Sequence, residues 1–332
     1  MKAALERWLQ QRWYGGYAPG YALRFLAGVY RLGSKSRAPW PPTDARGRPR
    51  LTVPVVVIGN FTAGGTGKTP LVIALAEHFK QRGYRPGIVS RGYGRVSRGS
   101  VRVGPRTPAD QCGDEPKLMF ERTGMPIVVD RDRLAAANAL IADGCDLILS
   151  DDGLQHANLP RDIEIEVLDG ERRYGNGLLI PAGPLREKPR AVDLRVINGG
   201  QANAGEYGMR LCSGMASAID GGERRELGSF AGSPIDAVAG IGNPARFFSA
   251  LRELGLSIRA HPFPDHHRYR VEDFSGMAGP LVMTEKDAVK CRGLGLSDAW
   301  MVPVQAELPA DFYRMLDEKL DRVRHDGQDH ER

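Results

Sequence analysis

Little in this sequence could staple it covalently or carry it through a bilayer. Its 332 residues include only four cysteines, Cys112, Cys145, Cys212 and Cys291. They lie at least thirty residues apart, with no CxxC pair and no clustered His spacing of the kind that holds zinc. A disulfide framework and a structural zinc are thereby excluded, and each thiol is expected to be reduced and to behave as a small buried hydrophobe. Long hydrophobic runs are equally scarce. The stretch YAPGYALRFLAGVYRL (17–32) is broken by Arg24 and Arg31, so it is neither the h-region of a signal peptide nor the ~20 apolar residues of a span. A broad basic surface is missing too. Residues 1–50 carry ten Lys/Arg against two acids, a net +8 within a chain of net +6, which leaves −2 elsewhere. Such regional basicity points to a local anionic surface and argues against a nucleic-acid groove through the body.

What is present suffices for a large folded protein. With 42% hydrophobic residues the chain can bury a sizeable core, and its length divides more naturally into two domains than one. Read as a helix from near Pro19, the N-terminal stretch puts Ala22, Leu23, Leu26, Val29 and Tyr30 on one face, with Arg24 and Arg31 on another. With Trp8, Trp13, Tyr14, Tyr17 and Tyr21 nearby, it suits a helix lying in a bilayer interface. It equally suits an amphipathic helix docked on its own domain, because periodicity reports burial and not what does the burying.

After the Pro/Arg-rich link APWPPTDARGRPR (38–50) the chain alternates strands and helices. Strands are expected at 53–59, 87–90, 126–129, 146–150, 163–168 and 194–198, and helices near 68–82, 115–122 and 131–143. This is the pattern of βαβ units and of a mainly parallel sheet covered on both faces. From about 199 the sequence turns rich in Gly, Ala and Ser, with two short strands expected around DGGE. A second α/β pattern follows, with helices from about 244 and 286 and a last one at 309–323. The expected organisation is a basic and aromatic segment 1–50, a domain 51–200, a hinge ribbon 201–232, a smaller α/β domain 233–323 and a frayed polar tail 324–332.

The run VVVIGNFTAGGTGKTP leads a β-branched strand into a glycine-rich turn and a helix opening at Lys68. In that context a phosphate-binding loop is credible, since inward backbone N–H groups and the helix N-terminus favour an anion. Thr62, Ala63, Gly64, Gly65, Thr66, Gly67, Lys68 and Thr69 form the loop. Lys68 is expected on the β/γ-phosphates and the Thr69 hydroxyl on Mg²⁺. The standard pattern has glycine where Thr62 stands; Gly64 and Gly65 supply compensating freedom. CDLILSDDGLQH adds a strand ending on Asp151 and Asp152, the acidic pair a metal-nucleotide site needs beside the loop. No Asn/Thr-Lys-x-Asp element for guanine is found, so ATP is the expected nucleotide, with Mg²⁺.

Nucleotide binding alone leaves several reactions open. A P-loop ATPase switch or metallochaperone shares these features, although the dispersed cysteines tell against it; a soluble kinase or ligase of the dethiobiotin-synthetase kind leaves the aromatic N-terminus unexplained. By spacing, Asp114 in CGDEPKLM reads as an N-cap of the 115–122 helix, and His266 in FPDHHRY as a solvated loop histidine.

The set IGNFTAGGTGKTP, SRGYGR (90–95), GDEP (113–116), DDGLQH (151–156), IPAGPLRE (180–187), AGIGNPARFF (239–248), FPDHHRY (263–269) and TEKDAVK (284–290) resembles the tetraacyldisaccharide 4'-kinases of lipid A biosynthesis, in order and over almost the whole chain. The resemblance implies a P-loop NTPase-like α/β kinase that moves the γ-phosphate of ATP to the 4'-hydroxyl of a tetraacylated glucosamine disaccharide 1-phosphate. It implies a peripheral protein at the cytoplasmic face of the inner membrane, the lipid being its substrate, with no nucleic acid and no obligate protein partner. Carried over by motif, Asp114 is the base and His266 its partner, with His267 an alternative imidazole; Asp151 and Asp152, with Glu115 as a further candidate, are the acids near the metal; Arg186 neutralises phosphate charge beside Lys68. Arg91 and Tyr93 line the nucleotide or lipid side. The lipid substrate favours the interfacial reading of the N-terminal helix. On the expected boundaries Asp114 and His266 fall in different domains, so closure would bring them together and exclude water.

Overall fold

The computed structural model describes residues 2–35 and 51–328. The Pro/Arg-rich link and the last four residues of the expected tail lie outside them. Two helices come first, α1 (Lys2–Tyr14) and α2 (Tyr21–Lys35), followed by β1 (Val55–Gly59), α3 (Lys68–Gln81) and β2 (Pro86–Ser90). Then come β3 (Val101–Val103), α4 (Ala109–Cys112), α5 (Asp114–Thr123), β4 (Ile127–Val129), α6 (Arg133–Ala142) and β5 (Leu147–Asp151). The chain continues through β6 (Ile163–Asp169), β7 (Leu194–Asn198), β8 (Tyr207–Cys212), β9 (Met215–Ala218) and β10 (Arg224–Glu226). It closes with β11 (Ile235–Ala239), α7 (Pro244–Glu253), β12 (Ile258–Pro262), β13 (Leu281–Thr284), α8 (Glu285–Cys291), β14 (Ala299–Val302), β15 (Gln305–Glu307) and α9 (Ala310–Gln328). Helix α9 carries the chain regularly to Gln328, further than the expected 323.

Two compact units emerge. Unit 1 comprises residues 1–91, 125–210 and 306–332, and unit 2 comprises 92–124 and 211–305. This differs from a domain running unbroken over 51–200, because 92–124 packs within unit 2. The physical reason is a set of ionic ties from α5 to α8: Arg122 meets Glu285 at 2.8 Å and Lys286 meets Glu115 at 2.6 Å.

In unit 1 the strands run β8-β7-β6-β1-β5-β2-β4, all parallel. Val55–Gly59 and Leu147–Asp151 are buried at every position, as expected of parallel strands covered on both faces. Val55, Val57, Phe61, Val89, Leu140 and Ile148 belong to one core cluster; each large side chain fully withdrawn from water stabilises by about 1.5–3 kcal/mol. Helix α3 buries Leu71, Val72, Leu75, Ala76 and Phe79 along one side. Asp132 starts α6 by accepting hydrogen bonds from the backbone N–H groups of Leu134 and Ala135.

Unit 2 has its own sheet, β10-β9-β14-β13-β11-β12, parallel from β14 to β12 and antiparallel at β9 and β10. The two short strands expected around DGGE are β9 and β10. Strand β12 is missed by hydrophobic patterning because its residues are mostly exposed or half-buried.

Helix α1, absent from the sequence reading, and α2 both dock on the 172–186 region of unit 1. Trp13 Nε1 donates to the Pro181 carbonyl at 3.0 Å and the Tyr30 hydroxyl to the Arg186 carbonyl at 2.9 Å. The docked stripe of α2 is Leu23, Ala27 and Tyr30, all half-buried; Ala22, Leu26 and Val29, expected on the same face, are exposed instead. No described helix is long and apolar enough to cross a membrane. Cys112, Cys145 and Cys291 are buried as expected, whereas Cys212 is only half-buried.

Candidate functional site

The carboxyl ends of parallel strands are where open α/β sheets hold ligands, and in unit 1 the chemistry-bearing residues collect there. Strand β1 leaves its last residue, Gly59, into the loop 60–67, and the register of β1 on β5 sets Ile58 against Asp151. The loop enters α3 through Gly67, whose φ of 92° is left-handed. A side chain there is doubly excluded, since a Cβ would come within 2.4 Å of Asn198 Nδ2. Asn198, the last residue of β7, uses that amide to donate to the Thr66 carbonyl at 2.9 Å.

The other side of the loop is held by the IPAGPLRE segment. Ala63 N–H donates to the Pro184 carbonyl and Arg186 N–H to the Phe61 carbonyl, both at 2.7 Å. The Arg186 guanidinium is thereby placed against Asp152, at 2.9 Å. Lys68 Nζ donates to Asn60 Oδ1 at 3.1 Å and lies 3.4 Å from Asp152 Oδ1. Burial alone would raise the Asp152 carboxyl, but Lys68 and Arg186 hold it far below the usual carboxylate range. Asp152 also has a left-handed φ of 52°. A non-glycine residue held so costs about 1–3 kcal/mol and persists where its surroundings over-determine it. Asp151 accepts from the Ser90 hydroxyl at 3.0 Å.

A triphosphate fits this loop. Gly64 and Gly65 are exposed with their backbone open, and the buried Thr66 hydroxyl has no hydrogen-bond partner. A hard cation fits as well, because the donors offered by Thr69, Asp151 and Asp152 are all oxygens. Among the described residues no three His, Cys, Asp or Glu side chains converge as a ready-made metal cage.

Unit 2 assembles the second set. Helix α5 opens after Gly113, at φ 100°, and Gly113 rather than Asp114 is its cap residue, with no side-chain capping bond. The N-cap reading of Asp114 therefore gives way. Its Oδ2 lies 3.1 Å from His266 Nδ1. His266 has a left-handed φ of 60°, and the Tyr93 ring packs on its imidazole with centroids 4.9 Å apart. His267 is engaged elsewhere, 3.0 Å from Asp273, so His266 is the imidazole that meets Asp114. Because 92–124 belongs to unit 2, the expected closure of two domains onto this pair is replaced by a contact preformed inside one unit.

Glu115 is turned to Lys286 at 2.6 Å, and Lys286 also reaches Asp265 at 3.0 Å. Burial opposes the charge of Glu115, yet Lys286 and His266 keep its carboxyl below the ordinary value. Asn60, Ser90, Asn198, Lys286 and Lys290 are not among the site residues expected from the sequence. Asn60, Ser90, Lys286 and Lys290 lie inside the motifs quoted above, but a motif does not say which neutral amide grips a loop or which lysine faces inward.

Comparison with known proteins identifies the chain's relatives. The chain is 47% identical over 330 residues to the tetraacyldisaccharide 4'-kinase of Xylella fastidiosa strain M12, covering 95% of this chain and 97% of that one. It is 48% identical over 326 residues to the Stenotrophomonas maltophilia R551-3 enzyme of the same name, at 94% and 96% coverage. Its fold is similar to that of LpxK from Aquifex aeolicus, with a TM-score of 0.67 at 24% identity, covering 91% of this chain and 95% of that one. With relatives this similar along their length, and a family pattern matched over residues 20–321, the chain belongs to the tetraacyldisaccharide-1-P 4'-kinase family.

Proposed function

We propose a division of labour for the family's reaction, in which unit 1 holds ATP by its phosphates and unit 2 supplies the proton acceptor. The protein is an ATP-dependent kinase that phosphorylates the 4'-hydroxyl of tetraacyldisaccharide 1-phosphate in lipid A biosynthesis. The observation that carries the catalytic assignment is the 3.1 Å contact of Asp114 Oδ2 with His266 Nδ1. Phosphoryl transfer is mostly positioning and charge neutralisation, with a carboxylate taking the hydroxyl proton as the new O–P bond forms. Asp114 is that carboxylate, and His266 orients it. Lys68 and Arg186 leave their shared partner Asp152 to neutralise charge on the transferring phosphoryl group and on the ADP that departs.

The residues Thr62, Ala63, Gly64, Gly65, Thr66, Gly67, Lys68 and Thr69 cradle the phosphates. That the Aquifex aeolicus structure is a complex with ATP supports this reading. Thr69, Asp151 and Asp152 would hold Mg²⁺, which would supply positive charge against the phosphates. Glu115, drawn to Lys286, would join that set only after leaving its lysine.

The N-terminal helices supply the route to a lipid acceptor. Tyr21, Phe25 and Leu32 are 92%, 72% and 72% exposed on α2, and Leu26 and Val29 are half exposed. An apolar face left in water on a helix that also carries Arg24 and Arg31 suits the interface of an anionic bilayer. It supports peripheral attachment at the cytoplasmic face of the inner membrane.

Transfer of labelled γ-phosphate from ATP to tetraacyldisaccharide 1-phosphate in detergent micelles tests the roles. Labelled bisphosphate from wild type, and almost none from Asp114→Asn with ATP binding intact, is the expected result; normal transfer by Asp114→Asn would remove the base from unit 2.

A further inference from the structure

Helix α8 presents two lysines, one turn apart, to the loop ends that carry Asp114 and His266. Lys286 Nζ lies 2.6 Å from Glu115 Oε1 and 3.0 Å from Asp265 Oδ1. Glu115 is the neighbour of Asp114 in sequence, and Asp265 is the neighbour of His266. One ammonium group therefore clamps both segments a single residue away from the pair they bring together. Lys290 Nζ lies 2.8 Å from Asp287 and 3.8 Å from Asp114 Oδ2, the same oxygen that faces the imidazole.

We propose that Lys286 is a positioning residue for the phosphoryl transfer, setting the Asp114–His266 geometry through Glu115 and Asp265, with Lys290 as the second point of support. The proposal rests on the catalytic reading of that pair.

Three observations favour positioning over mere neutralisation of buried charge. The Lys286 side chain is only 16% exposed, and a buried ammonium is tolerated where carboxylates surround it. His266 sits in the left-handed region, a conformation that must be held by its surroundings. The holding contacts run through Asp265, which accepts from the His266 backbone N–H at 3.0 Å and is itself gripped by Lys286. Helix α8 is also firmly seated. Thr284 caps it by accepting from Asp287 N–H, and the fully buried Asp287 accepts from Gly240 N–H at 2.9 Å. A rigid element thus carries the clamp, as precise positioning requires.

The experiment compares Lys286→Met, Lys286→Arg and Asp265→Asn in the full-length protein, with Asp114→Asn as the reference. Steady-state transfer is read as kcat and as KM for ATP, and the His266 ring nitrogens are followed by ¹⁵N NMR. Lys286→Met is expected to lower kcat at least tenfold with KM for ATP within twofold, and to abolish the hydrogen-bonded Nδ1 signal. Lys286→Arg should recover most of both, and Asp265→Asn, which keeps the side-chain shape should Lys286→Met not fold, should show a smaller loss in the same direction. A kcat within twofold of wild type together with an unchanged Nδ1 signal in Lys286→Met or Asp265→Asn overturns the proposal. An active Asp114→Asn instead overturns the catalytic reading, and with it the role assigned to Lys286 in transfer.

Discussion

Two aspartates, one in each unit, face opposite kinds of partner. Asp152 in unit 1 lies between the Lys68 ammonium and the Arg186 guanidinium, which hold its carboxyl far below the usual carboxylate range. Asp114 in unit 2 faces an imidazole at 3.1 Å, while its lysine stands back at 3.8 Å. The first arrangement stores cations beside a phosphate loop; the second sets a carboxylate against an imidazole. Under the roles proposed above, the same side chain serves charge in one unit and proton transfer in the other, and its neighbours make the choice.

The sharpest way to break this comparison is at the proton acceptor. Asp114→Asn keeps the shape and removes the base, so kcat should fall by roughly 10²–10⁴-fold, while ATP affinity measured by calorimetry stays within about twofold. Next comes the cation store. Lys68→Ala should lower kcat by about 10²–10³-fold and, unlike Asp114→Asn, should also weaken ATP binding in the same calorimetric assay. If the two variants gave the same split between binding and turnover, the units would not divide the labour as argued.

A smaller effect is expected at the exposed apolar face of α2. Phe25→Ser combined with Leu32→Ser should weaken co-sedimentation with anionic vesicles by about tenfold or more, since each exposed side chain withdrawn from water contributes on the order of 1 kcal/mol or more. ATP binding should be unaffected.

The smallest concerns His156, in the DDGLQH run of unit 1. Burial, with Arg133 and Arg161 adding to it, pushes its imidazole down from 6.5 to about 4, and its Nε2 has no partner. The unfolded chain therefore binds a proton between about pH 6.5 and 4 that the folded one refuses, so stability falls as pH drops through that window. His156→Gln should flatten the dependence of Tm on pH there, leaving any further loss below pH 4 to other groups. An unchanged slope would show that the imidazole protonates in the folded protein.

Much of the fold was legible because it depends on local pattern. The β-branched runs became β1 and β5, and α7 and α8 begin at Pro244 and Glu285, within a residue of the expected 244 and 286. The phosphate loop was legible for the same reason, since a strand, a glycine turn and a Lys-Thr helix start are contiguous. The assignment of 92–124 was not legible. It depends on Arg122 meeting Glu285, residues 163 apart in sequence, and no local period encodes such a pairing. Likewise α2 shows helical periodicity, but which stripe docks was settled by where Tyr30 finds the Arg186 carbonyl.

The sequence by itself determined the alternation of strands and helices, the loop that fits a triphosphate, and the motifs by which the family is recognised, all of them written in short contiguous stretches. Only the tertiary structure decided that His266 and not His267 meets Asp114, that both belong to one unit, and that Lys286 lies between their neighbours. Those outcomes depend on left-handed turns and on ion pairs across long stretches of chain, where a shift of one residue changes which side chain points inward.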